Sequence, residues 1–348
     1  MSLRRPYIDW LRGFAVLTMI EWHVLDGWTV RADRPESTWL LIETIGGFAA
    51  PLFLFLAGVA IPMAIGSQVR KGRSFEAAAG SVQKRGWQIF GIALLFRFQS
   101  FLLYPYATWS GIFRPDILNI LGLGLVCGAW LSGRAMRRRN AWWLIVPAVL
   151  IFALTPFTRE WWWPSQLPGR LEAYIRPNGL GVFQIFPWLG YVPFGALLGL
   201  LLQNTKDETA EARLLSRFAI GGLVAAAIGV PGLLGPYSTF FVRCGLMTFA
   251  LAASKWVVAM QPAPMLRPIL RYGQTSLFIY IVHVELAYGV WSYPIHNALP
   301  LWLSLLGLGG MYVLMYFAAG WWESRARRPW IPSNLQPATS NLQGKAPL

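Results

Sequence analysis

The sequence predicts an all-α fold, a polytopic membrane helix bundle of about ten transmembrane helices with both termini in the cytoplasm. Three observations predict it. The 348 residues are 55% hydrophobic and only 13% charged, a balance that favours lipid over water as the surrounding solvent. Apolar runs long enough to cross a bilayer recur along the chain. Lysine and arginine fall in short clusters between those runs, on alternate sides.

Hydropathy, helix breakers and basic clusters place the spans at 8–29, 38–66, 86–104, 114–132, 141–157, 184–202, 218–235, 237–259, 273–291 and 300–320. With the N-terminus inside, twenty of the 30 basic residues lie in inner loops, among them Arg4, Arg327, Arg328 and Lys345. Five, Arg31, Arg34, Arg159, Arg170 and Arg176, lie in outer ones. The net charge of +15 is therefore that of cytoplasmic loops, not of a nucleic-acid binder. Cys127 and Cys244 both fall inside spans, which supports neither a disulfide framework nor a thiolate metal site. The first apolar run contains Glu21 and His23 and has no small-residue cleavage site after it, so it is expected to be a retained span. One integral membrane domain, 1–332, and a disordered tail, 333–348, follow from composition. The outer segment 158–183, with Trp161, Trp162 and Trp163, reads as an interfacial aromatic belt, with a lid over a carbohydrate site as the sharper alternative. Segment 203–217 reads as a solvated connector. No internal repeat is evident, which weakens a transporter built of two related halves.

The first span carries Asp9, Arg12, Glu21, His23 and Asp26. Ionisable groups at membrane depth are costly and mark sites, pathways or relays. Arg12 and His23 are eleven residues apart, roughly 16 Å along a helix axis, so Arg12 sits near the cytoplasm and His23 in the outer half. Counting inward from each span's start brings Glu43, Arg97, Arg114, Asp116, Asn119, Arg243, His283 and Glu285 to the middle or outer membrane as well. So many polar groups near one depth point to a shared cavity that opens outward. For His23 and His283 a structural role between packed helices stays open, as does an ion pair between Arg114 and Asp116.

Five blocks carry a family resemblance: RRPYIDWLRGFA at 4–15, PLFLFLAGV at 51–59, RPDILNILG at 114–122, FPWLGYVPFG at 186–195 and GQTSLFIYIVH at 273–283. In order and spacing they resemble the heparan-alpha-glucosaminide N-acetyltransferase-like family. Arg12 and His23 also resemble the Arg-x10-His element of the related type 3 membrane acyltransferases. The resemblance implies a cytoplasmic acyl-CoA donor, a glycan or amino-sugar acceptor reached from the opposite side, and a histidine that assists transfer. Residence in a bacterial inner membrane is the expected location, and a homodimer is one arrangement left open. In the animal enzymes the position matching His23 resembles asparagine, with the proposed catalytic histidine in a following segment. This chain has no histidine between His23 and His283, so His23 is the candidate base.

The residues fit that chemistry independently. Acylating a hydroxyl or amine needs a base near the acceptor, a role suited to His23 or His283, with Glu21 or Glu285 to orient it. The developing oxyanion needs a cation or donor, which Arg97 or Arg243 supplies. Arg12 and the basic loops 67–85 and 133–139 suit the phosphates of acetyl-CoA. Asp26, Glu43, Arg114, Asp116, Asn119, Arg243 and Glu285 are the candidate acceptor-binding groups. No Gly-rich phosphate loop or metal-ligand cluster appears, so neither a nucleoside triphosphate nor a metal is expected. A transporter or flippase for an anionic or lipid-linked solute accounts for the same intramembrane charges without catalysis, and a structural or assembly protein is a third reading.

Overall fold

The structure is a computed structural model that describes residues 5–103, 108–179, 181–230 and 234–326. The tail 333–348, Arg4, Arg327, Arg328 and Lys345 lie outside the described residues. The helices in chain order are α1 (Pro6–Trp28), α2 (Glu36–Gly46), α3 (Ala49–Val69), α4 (Phe75–Leu103), α5 (Trp109–Ile112), α6 (Ile117–Arg138), α7 (Trp142–Leu154) and α8 (Gly169–Ile175). They continue with α9 (Ile185–Trp188), α10 (Tyr191–Gln203), α11 (Glu208–Gly229), α12 (Ser238–Met260), α13 (Ala263–Gln274), α14 (Ser276–Tyr288) and α15 (Leu301–Ala326). No strand occurs among the described residues, and eight helical segments are long and apolar enough to cross a membrane. The protein is an all-α polytopic membrane bundle.

Helix α1, which carries Asp9, Arg12, Glu21, His23 and Asp26, is not one of those eight. It packs instead on α2, α3, α12, α13, α14 and α15, with Ala15, Val16, Ile20, Val24 and Leu25 fully buried. A helix enclosed by protein keeps its ionisable groups away from lipid tails, which is how Arg12, Glu21 and His23 are tolerated. Both ends are tied down. Arg5 donates to Glu211 (2.7 Å) and to the Leu202 carbonyl at the end of α10 (2.9 Å). Arg34 donates to the Asp26 and Thr29 carbonyls that the last turn of α1 leaves open, each at 2.8 Å.

Two expected spans are divided. The run 38–66 breaks between α2 and α3, where the Gly47 N–H closes back on the Glu43 carbonyl (2.8 Å). Pro51 then falls in the first turn of α3, where its missing N–H costs nothing. The run 273–291 begins inside α13 and resumes as α14 after Thr275, whose φ of −108° and ψ of 17° are not helical. At thirteen residues α14 is about 20 Å long, shorter than the hydrocarbon core, and it brings His283 to mid-bundle. The outer segment is ordered: Trp161 stacks on Trp163 and meets Phe186 edge-on. Arg176 bonds Glu172 (2.7 Å) and the Trp161 carbonyl (2.8 Å). The Arg176 hydrogen bond, reinforced by Asn178, holds the Glu172 carboxyl below the usual carboxylate range.

Helices α3 and α10 cross at backbone contact. A side chain at Gly58 would meet the Val192 backbone, at Gly195 the Phe55 backbone and at Gly199 the Val59 backbone. Without a hydrophobic drive between helices in lipid, such close approach supplies the packing energy. Gly195→Val is expected to lower stability by about 3 kcal/mol through overpacking, read as a fall in the melting temperature in detergent. Gly80→Ala, in α4 with open space around it, is expected to be neutral or slightly stabilising.

Candidate active site

The site begins with two helices that each present a histidine. His23 of α1 and His283 of α14 meet with Nδ1 of the first 2.9 Å from Nε2 of the second, their rings nearly coplanar at 8°. The other nitrogen of His283, Nδ1, lies 2.6 Å from the Ile279 carbonyl one turn earlier. A carbonyl only accepts, so His283 Nδ1 carries the hydrogen and, in the neutral ring, Nε2 offers a lone pair. His23 must then donate from Nδ1, which leaves its Nε2 unprotonated. These tautomers are assigned from the hydrogen-bond partners. His283 has no exposed surface, whereas His23 retains some.

Two tyrosines flank the pair. Tyr288 meets the His23 ring edge-on at 5.4 Å and donates to Asp26 (3.1 Å). Tyr280, one turn before His283, meets that ring edge-on at 5.9 Å and donates to Asp116 (2.9 Å). Asp116 is only 8% exposed. Its carboxylate accepts from Arg97 Nη2 (2.7 Å), from Tyr280 and from the Ile117 N–H (2.5 Å). Its own N–H donates to Asn119 Oδ1 (3.1 Å), which completes a capping box at the start of α6. From outside, α8 brings Tyr174 close to this cluster, and burial, with the Asp116 charge behind it, pushes the phenol up to about 12.

His23, His283, Asp26, Arg97, Asp116 and Asn119 thus form one connected chain of contacts, and the other candidates stand apart. Arg97 pairs with Asp116, not with Glu21 or a ligand alone, and Arg114 is exposed with no ion pair to Asp116. Glu21 and Glu285 each lie two positions from a site histidine, a spacing that turns them to another helix face. Glu43 is exposed on α2. Arg12 pairs with Asp9 at 3.3 Å. Arg243 lies over the Trp188 ring, 5.8 Å from its centroid. Sequence reasoning missed Tyr280, Tyr288 and the Ile279 carbonyl. Tyr280 was within reach of it, since a position three before His283 shares its helix face.

A polytopic helix bundle with a histidine pair and a half-buried arginine–aspartate pair inside it defines a membrane protein with a polar centre within the bundle. A family model described as "Heparan-alpha-glucosaminide N-acetyltransferase, catalytic" matches residues 4–234, and the chain belongs to that family. It is a membrane acetyltransferase. The matched segment contains His23, Arg97, Asp116 and Asn119; His283 and Tyr280 lie beyond it. No curated protein matches the chain.

Removing the carboxylate at 116 strands the Arg97 charge and uncaps α6. Asp116→Ala is expected to cost about 3 kcal/mol or more, read by thermal unfolding in detergent. The double variant Arg97→Met/Asp116→Leu, with no charge left unpaired, is expected to melt above the single one.

Proposed function

We propose that the protein moves an acetyl group from cytoplasmic acetyl-CoA to an amine or hydroxyl of a glycan or amino sugar on the outer side, with His23 Nε2 as general base. The observation that carries this reading is the chain Ile279 carbonyl, His283, His23. It leaves one imidazole lone pair unengaged, on the histidine that keeps accessible surface.

The excess of basic residues on one side supports an inward N-terminus, and with it a cytoplasmic Arg12 and an outer-half His23. Arg12 and loops 67–85 and 133–139 offer positive charge to the coenzyme's phosphates, and the extended pantetheine arm reaches toward His23. The acceptor's N–H or O–H gives its proton to His23 Nε2 as its lone pair attacks the thioester carbonyl carbon. The imidazolium that forms is held by its Nδ1–H bond to His283, which becomes charge-assisted. Collapse of the tetrahedral intermediate breaks the C–S bond, and the departing thiolate takes the proton from His23. Arg97 faces the charge that develops on oxygen. Trp188 with Arg243 beside it suits a sugar ring and a polar substituent on the acceptor side. Asp26 reaches the site through Tyr288.

Purified protein in detergent or proteoliposomes is expected to transfer label from acetyl-CoA to amino-sugar or glycan acceptors. His23→Ala is expected to lower kcat by about 10³-fold, with the melting temperature little changed. His283→Phe, which keeps a ring but removes the acceptor for His23 Nδ1–H, is expected to lower kcat by about 10²-fold. Wild-type turnover in His23→Ala would remove this histidine from the mechanism, and solute uptake without acetyl-CoA consumption would favour transport.

A further inference from the structure

Among the described residues, the buried side-chain atoms without a hydrogen-bond partner are five hydroxyls and two N–H donors, Arg97 Nε and Asn119 Nδ2. The distinction matters. Thr29, Ser132, Ser238 and Ser304 have rotatable hydroxyls that reach their own backbone with a small turn, and the Tyr191 hydroxyl sits beside Arg243. A guanidinium and an amide have donors of fixed direction, and neither nitrogen can accept. Their missing partner must be an acceptor.

Neither donor is free to turn away. The Asn119 amide cannot flip, because its Oδ1 accepts the Asp116 N–H at 3.1 Å and a flip would set N–H against N–H. The Arg97 fork is fixed by the bond from Nη2 to Asp116 Oδ2 at 2.7 Å. Asp116 does not serve as the missing acceptor: its Oδ1 takes Tyr280 and the Ile117 N–H, its Oδ2 takes Arg97 Nη2, and neither idle donor bonds either oxygen. Asn119 has no exposed surface at all. Asp116 therefore ties down both residues that carry an idle donor, and Tyr280 joins it to the His283 ring and so to His23.

We propose that Asn119 Nδ2 and Arg97 Nε form the donor pair that receives the carbonyl oxygen of the transferred acetyl group. This rests on the acetyl-transfer reading above. As the acceptor's lone pair forms its bond to the thioester carbon, the C=O π pair moves onto oxygen, and a second hydrogen-bond donor and a cation are what that oxygen gains most from. When the intermediate collapses, the C=O re-forms and the C–S pair leaves with the thiolate. Asn119 is then a catalytic residue, and Asp116 is the positioning residue that ties down both donor residues.

The test uses the full-length protein with acetyl-CoA and an amino-sugar acceptor. Asn119→Asp keeps an oxygen for the Asp116 N–H and loses the amide donor. Arg97→Lys keeps a cation for Asp116 and loses Nε. Each is expected to lower kcat and kcat/KM together, by about 10²-fold for Asn119→Asp, with KM for acetyl-CoA within about threefold of the unsubstituted protein. Asn119→Ala, which adds no charge, gives the same loss if the acidic variant fails to fold. Variants that melt lower but keep kcat per folded molecule would assign the pair a structural role and overturn the proposal. Absence of transfer by the unsubstituted protein is a separate outcome, which removes the reaction itself and the donor pair with it.

Discussion

The Asp116 carboxylate is the interaction on which the arrangement of the site depends. A carboxylate inside an apolar bundle is stable only when its oxygens are fully engaged, and here a guanidinium from α4, a phenol from α14 and a backbone N–H from α6 engage it. The Ile117 N–H is local, but Arg97 and Tyr280 come from two other helices, so satisfying one charge fixes α4, α6 and α14 relative to one another. The same residue sets the start of α6 through the capping box with Asn119. Tyr280, held by its hydroxyl, in turn walls the His283 ring. The local need of one buried charge is thereby converted into the geometry of the centre.

The second constraint is the enclosure of α1. A helix with Asp9, Arg12, Glu21, His23 and Asp26 along it would be expensive facing lipid, and it is surrounded by six neighbours instead. Trp28 Nε1 donates to the Ala287 carbonyl (3.1 Å) and Tyr288 to Asp26 (3.1 Å), so the outer end of α1 is locked to the end of α14. That lock holds the two histidines in register, although each helix alone presents its histidine to no particular partner.

The helical class, the family and the grouping of His23, Arg97, Asp116, Asn119 and His283 in one polar centre were legible in the sequence. Pairing was not. Counting residues from a span's start gives depth, one coordinate of three, and says nothing of where a side chain points around the bundle. Arg97 was therefore read as an oxyanion partner, and Asp116 as a partner of substrate or of Arg114; in the structure the two residues meet each other. Glu21 and Glu285 failed as partners for a reason the sequence did contain, since positions two apart face away on a helix. The breaks at Gly47 and Thr275 were hidden because an apolar run reads the same whether or not a helix is continuous through it. Tyr280 shared a helix face with His283, but Tyr288 carried no signal against a background of 12 tyrosines and 19 tryptophans.

A histidine base backed by a second histidine and a carbonyl, instead of by a carboxylate, suits the surroundings. A carboxylate behind His23 would place another permanent charge in the membrane interior, at a desolvation cost that a single imidazole does not repay at rest. The imidazole pair needs no counter-ion while neutral, and the neighbouring Arg97 and Asp116 cancel each other. In the proposed cycle, one positive charge appears on His23 at the moment one negative charge appears on the acetyl oxygen, so the centre's net charge never changes. What the protein must provide is direction rather than charge. That is what a ring held by a 2.6 Å bond to its own helix supplies.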